Sequence, residues 1–102
     1  MQARIWNKRA WLSVTHAGTL SMELGEMLEI AGFSVLGECE HHFAPQGYTK
    51  LWLLGESHLA IHTFPEEGKT YLELSSCNEK MFQRFLAKLE ATFDEIAAER
   101  AQ

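Results

Sequence analysis

Leu20, Leu24, Met27, Leu28 and Ala31 recur at spacings of three and four, which predicts a helix over Leu20–Ala31. Glu23 lies in its first turns, Gly32 stops it, and Glu23, Glu26 and Glu29 fall on the face turned to solvent. From Phe33 to His42 the period drops to two. Phe33, Val35 and Cys39 point one way, while Ser34, Leu36, Glu38, Glu40 and His42 point the other. On that pattern Cys39 is a buried structural thiol. A loop at Pro45 and Gly47 leads to Tyr48–Leu54, apolar on both faces and so a strand covered on both sides. After Gly55, Leu59 and Ile61 alternate with His58, Ala60 and His62 in a strand that Pro65 ends. Pro65-Glu66-Glu67-Gly68 is a turn, and Tyr71–Cys77 a strand with Leu72 and Leu74 opposite Tyr71, Glu73 and Cys77. Ser76-Cys77-Asn78-Glu79 has the form of a capping box, opening a helix that buries Phe82, Phe85, Leu86, Leu89, Phe93 and Ile96. Upstream, Ala10–Val14 reads as a first strand and His16-Ala17-Gly18 as a turn.

These elements predict an α+β (α/β) two-layer sandwich: about four to five antiparallel strands, covered on one face by two helices. A chain of 102 residues makes one domain, 1–102. The uncovered face would carry Tyr71, Glu73, Cys77, His58 and His62 beside apolar surface. Such a face is expected to be covered by a second copy, in a homodimer that also shields Trp52 and Leu54.

Composition narrows the function. The apolar fraction of 46% and charged fraction of 23% are those of an ordinary soluble globular protein. The net charge of -5, with no basic cluster beyond Lys8-Arg9, argues against nucleic acid and is compatible with a small cationic substrate. No apolar run is long enough to span a bilayer, and the N-terminus lacks a signal-peptide core, so the expected location is the cytoplasm. Cys39 and Cys77 are then expected as free thiols.

The densest chemistry lies in Glu56-Ser57-His58-Leu59-Ala60-Ile61-His62-Thr63-Phe64-Pro65-Glu66. On a strand, His58 and His62 stand about 13 Å apart and cannot share one metal ion, so no metal is expected. Ser57, His62 and Cys77 together supply a hydroxyl nucleophile beside a carbonyl, a base and a thiol acid. Strict alternation sets Ser57 and His62 on opposite faces, unless the turn before Ser57 re-aims it.

That stretch resembles the processing site of the small prokaryotic S-adenosylmethionine decarboxylases, with Phe64 where the family has tryptophan. His41-His42-Phe43-Ala44-Pro45-Gln46-Gly47 is similar to a second motif of the family, and Cys77 falls at the distance of its catalytic cysteine. The family's N-terminal Gly-x-His is absent, and so is a strand following the last helix. The resemblance implies self-cleavage between Glu56 and Ser57, which converts Ser57 into a covalent pyruvoyl group. His62 would be the base for the elimination, with Thr49 in the place of an assisting serine. The pyruvoyl carbonyl would form a Schiff base with the amine of S-adenosylmethionine and act as electron sink, and Cys77 would reprotonate the product. Phe43 would contact the adenine and Glu66 the ribose, in a homodimeric enzyme of polyamine (spermidine) synthesis. Two alternatives stand beside it: a pyruvoyl-dependent decarboxylase of arginine or ornithine, with Glu73 as the deep carboxylate, and an unprocessed paralogue that only binds a partner.

Overall fold

The structure, a computed structural model, describes residues 3–96. Its elements are β1 (Trp6–Leu12), α1 (Ala17–Ala31), β2 (Val35–His42), β3 (Tyr48–Leu54), β4 (Ser57–Phe64), a 3-10 turn (Pro65–Glu67), β5 (Lys69–Ser76), α2 (Glu79–Thr92) and β6 (Glu95–Ile96). Every strand pairing is antiparallel, and the six-stranded sheet has the order β2-β3-β4-β5-β1-β6. Both helices pack on one face, so the α+β sandwich expected from the hydrophobic pattern is the fold, with six strands rather than four or five. No helix among the described residues is long and apolar enough to cross a membrane.

The additional pairing comes from the two ends of the chain. β1 begins at Trp6, ahead of the expected Ala10, and pairs with β5 over seven residues from Trp6↔Ser76 to Leu12↔Thr70. The final helix stops at Thr92 instead of running through Ile96. Phe93 leaves the helix but stays buried in the core. Glu95 and Ile96 then return as β6 against Leu12 and Trp11, so a strand after the last helix is present in short form. The tail 97–102 lies outside the described residues.

Local chemistry sets the helix ends. His16 is the N-cap of α1, its Nδ1 accepting from the Thr19 amide at 3.1 Å, so Ala17 and Gly18 are helical rather than a turn. Gly32, at φ 99, closes α1 with its amide on Glu29 and Leu28 carbonyls, and the Phe33 amide also donates to Leu28. Phe33 therefore belongs to the cap and packs inward, and β2 starts two residues later. Asn78, not Ser76, caps α2 by accepting from the Met81 amide at 3.0 Å. Ser76 instead bonds both the amide and the carbonyl of Asn78.

The core lies between sheet and helices. Leu20, Leu24 and Leu28 of α1 and Phe82, Phe85 and Leu89 of α2 meet Leu12, Trp52, Leu54, Leu59, Ile61, Leu72 and Leu74. Trp52 and Leu54 are thus covered within the chain, 1% exposed each, and need no second copy. The apolar side chains of β3 that remain open are Leu51 and Leu53, at 42% and 57% exposure on the opposite face.

At the β2 edge the alternation misleads. The side toward α1 holds Glu38 and Glu40, because β3 offers them Lys50 and Tyr48 across the ladder. Lys50, 7% exposed, donates to Glu38 at 2.8 Å and to Ser21 at 2.7 Å, and lies over the Trp52 ring. The Tyr48 hydroxyl donates to Glu40. Cys39 pairs with Leu51 and faces the uncovered side, so it is an exposed free thiol and not a buried one. A register shift between Val35 and Gly37 marks where the regular alternation breaks.

Candidate active site

Two groups of reactive residues stand at opposite ends of the sheet. The first is the β3–β4 hairpin, a two-residue loop of Gly55 and Glu56. The left-handed conformation falls on Glu56, at φ 57, rather than on the glycine. A non-glycine residue there costs about 1–2 kcal/mol. The strain sits on the residue whose carbonyl carbon is bonded to the Ser57 nitrogen. Ser57 opens β4 opposite Leu54, with no register shift to re-aim it, and its side chain keeps to the helix side of the sheet. Its Oγ is fully buried and has no hydrogen-bond partner among the described residues. A buried hydroxyl without a partner is unusual.

Cys77 follows β5 directly, at the same end. Its Sγ donates to Glu56 Oε2 at 3.4 Å, so the thiol is tethered to the strained residue itself. Thiol, strained residue and free hydroxyl thereby lie at the same end of the sheet, with Glu56 between the other two.

The second group lies five residues along β4. His62 Nδ1 is 2.9 Å from Thr49 Oγ1 on β3, and its ring stacks on Tyr71 of β5 at 6.4 Å between centroids. Thr49, His62 and Tyr71 are cross-strand neighbours in register. Phe43, 51% exposed, sits in the β2–β3 loop against His41 with rings 4.5 Å apart, and Glu66 is exposed in the 3-10 turn beyond β4. The ladders put both loops at the His62 end.

The predicted site residues therefore form Glu56, Ser57 and Cys77 at one end, and Thr49, His62, Phe43 and Glu66 at the other. Along a strand, five residues span about 17 Å, and His62 lies on the uncovered face while Ser57 faces the helices. His62 does not reach Ser57 within one chain.

Sequence reading missed two partners of the second group. Trp11 lies 5.2 Å from Tyr71 and 5.9 Å from Phe64, and Lys69 caps its ring at 4.6 Å. The signal was available only in the pairing of β1 with β5, which brings Trp11 opposite Tyr71. Burial, then the hydrogen bond its hydroxyl donates to Glu73 at 3.0 Å, push the Tyr71 phenol above its ordinary value.

A family model described as S-adenosylmethionine decarboxylase matches residues 14–100. The S-adenosylmethionine decarboxylase proenzyme of Brevibacillus brevis is 47% identical over 60 residues, 59% of this chain and 45% of that protein. The proenzyme of the same name from Parasynechococcus marenigrum is 41% identical over 71 residues, 69% of this chain and 53% of that protein. The chain thus spans about half the length of the curated relatives it matches. The crystal structure of the adenosylmethionine decarboxylase from Aquifex aeolicus matches with a TM-score of 0.67 at 19% identity, covering 94% of this chain and 89% of that one. At that identity the likeness speaks to the fold alone.

Proposed function

The chain belongs to the S-adenosylmethionine decarboxylase family, and from that premise we propose that it is a self-cleaving proenzyme of a pyruvoyl-dependent S-adenosylmethionine decarboxylase serving polyamine synthesis. One observation carries the reading: at Glu56-Ser57 a left-handed non-glycine residue precedes a buried serine hydroxyl that has no hydrogen-bond partner among the described residues. In the proposed processing, Ser57 Oγ attacks the Glu56 carbonyl carbon and the amide becomes an ester, returning a proton to the Ser57 nitrogen. A base removes the Ser57 Cα proton, the Ser57 Cβ–Oγ bond breaks as a Cα=Cβ double bond forms, and fragment 1–56 leaves with Oγ in its carboxylate. Addition of water and loss of ammonia then leave a pyruvoyl group at the start of fragment 57–102. The residues present fit that group, since its precursor hydroxyl has no hydrogen-bond partner among the described residues and Cys77 is bonded to the neighbouring Glu56 side chain. When joined to the substrate amine, the pyruvoyl group supplies an electron sink for loss of carbon dioxide. Cys77 is the proton donor to the product carbon.

The base is His62, with Thr49 as its hydroxyl partner, and it acts on the other chain of a homodimer. Two uncovered faces stacked with their strands running in opposite senses bring the Ser57 end of one chain to the His62 end of the other. The same stacking buries Leu51 and Leu53 and carries Phe43 and Glu66 to the pyruvoyl group of the partner. Phe43 then offers an aromatic face to the adenine, and Glu66 a carboxylate to the ribose hydroxyls. Glu73, the carboxylate that arginine or ornithine would need, is already bonded by Tyr71 and lies across the ladder from Arg9, which favours adenosylmethionine.

The test is carbon dioxide release from adenosylmethionine, arginine and ornithine side by side, after denaturing mass spectrometry has established cleavage. Release from adenosylmethionine alone supports the reading. Release from a basic amino acid alone overturns the substrate, and a chain that stays intact on prolonged incubation overturns the enzyme.

A further inference from the structure

We propose that Tyr71 is a positioning residue that fixes the plane and the tautomer of the His62 imidazole. The proposal rests on His62 as the elimination base and concerns how that base is aimed. Four side chains, Thr49, His62, Tyr71 and Trp11, form one row across β3, β4, β5 and β1, each opposite the next in register. An imidazole on an open sheet face has two free torsions and two usable nitrogens. Thr49 Oγ1, at 2.9 Å, holds Nδ1 and nothing else. The Tyr71 ring lies 21° from parallel to the imidazole and closes the other side, so the plane is set as well as the one atom.

Tyr71 is itself held from two directions. Its hydroxyl donates to Glu73 Oε2 at 3.0 Å, and Trp11 packs its ring at 5.2 Å with a tilt of 56°. Lys69 over Trp11, paired with Glu67 at 3.1 Å, closes the end of the row. With Nδ1 committed to Thr49, the nitrogen that can take a proton is Nε2. It is a base only when Nδ1–H donates to Thr49 Oγ1, because the other tautomer already carries its proton on Nε2. A ring free to turn would carry Nδ1 away from Thr49 Oγ1 and present Cδ2 there, releasing the tautomer. The stacking by Tyr71 opposes that turn.

The experiment uses ring nitrogen chemical shifts of His62 in the Ser57→Ala chain, which stays whole, together with cleavage rates in chains that keep Ser57. Tyr71→Phe retains the ring and is expected to keep a single Nδ1–H tautomer and cleave close to the parent rate. Tyr71→Leu is expected to give a mixture of tautomers and to slow cleavage by about tenfold to hundredfold, the range for a reacting group displaced by about 1 Å. Cleavage of Tyr71→Leu at the parent rate overturns the proposal, and so does slower cleavage with the tautomer unchanged. If the parent chain never cleaves, the processing reading falls, while the nitrogen shifts of the Tyr71 variants still decide what Tyr71 does.

Discussion

Replacing Glu56 by alanine and by glycine separates backbone strain from side-chain chemistry at the proposed scissile bond. Both variants lose the carboxylate that accepts from Cys77, so the difference between them isolates the φ of 57. Alanine keeps the left-handed cost of about 1–2 kcal/mol, and glycine removes it while adding about 0.5–1 kcal/mol of chain entropy to the unfolded state. The net expectation is a glycine variant more stable than the alanine variant by about 1 kcal/mol. In a Ser57→Ala background, where no cleavage interferes, that is a melting temperature about 4–8 °C higher for a domain of this size. If the strain is released on the way to the transition state, its full ~1–2 kcal/mol, which the entropy of the unfolded chain does not offset, makes the alanine variant cleave about fivefold to thirtyfold faster than glycine when Ser57 is present. Thermal melts and a cleavage time course by denaturing mass spectrometry read the two quantities. A glycine variant that is more stable yet cleaves as fast as alanine would refute the role of strain. A glycine variant less stable than alanine by about 0.5–1 kcal/mol would refute the strain itself.

Two further expectations concern other residues. Cys77→Ala is expected to yield the same two fragments but fail to turn over substrate, since the proposed elimination uses His62 and the proposed reprotonation uses the thiol. Decarboxylation at the parent rate would make Cys77 structural. Tyr48 is pushed up to about 12, first by burial and then by its hydrogen bond to Glu40. A raised value favours the neutral phenol in the folded chain, so its contribution is complete below about pH 10 and lost as pH rises toward 12. Urea titrations should show the parent losing stability over that window by more than Tyr48→Phe does; parallel curves would contradict it.

The helices and the central strands were legible because their apolar positions keep a strict period over several turns or residues. Leu20 to Ala31 and Leu72 with Leu74 could face only one layer. Short-range pairing defeats that logic at the edges. Glu38 and Glu40 point toward the helices because Lys50 pairs the charge of one and the Tyr48 hydroxyl donates to the other, and a buried lysine held by a glutamate and a serine has no periodic signature. Cys39 was read from its neighbours on the strand when its register partner, Leu51, is itself open. β6 was missed because two residues carry no pattern of their own and depend on β1 being present to receive them. In the candidate site, alternation already set Ser57 and His62 on opposite faces. What alternation cannot give is the partner of each residue: Cys77 on Glu56, Thr49 and Tyr71 on His62, and the strain on Glu56 rather than Gly55.

A site divided between two chains is tested most directly by mixing two inactive variants. Ser57→Ala keeps Thr49 and His62 but has nothing to cleave, and His62→Ala keeps Ser57 but lacks the base. Each is purified alone, the two are mixed under conditions that exchange subunits, and the products are weighed by denaturing mass spectrometry. Neither variant alone is expected to cleave. In the mixture the His62→Ala chain alone should be cut, between Glu56 and Ser57, giving a second fragment lighter than its serine-terminated form by the mass of ammonia. If His62→Ala cleaves by itself, or if exchange yields mixed dimers in which neither chain is cut, the two-chain site is contradicted.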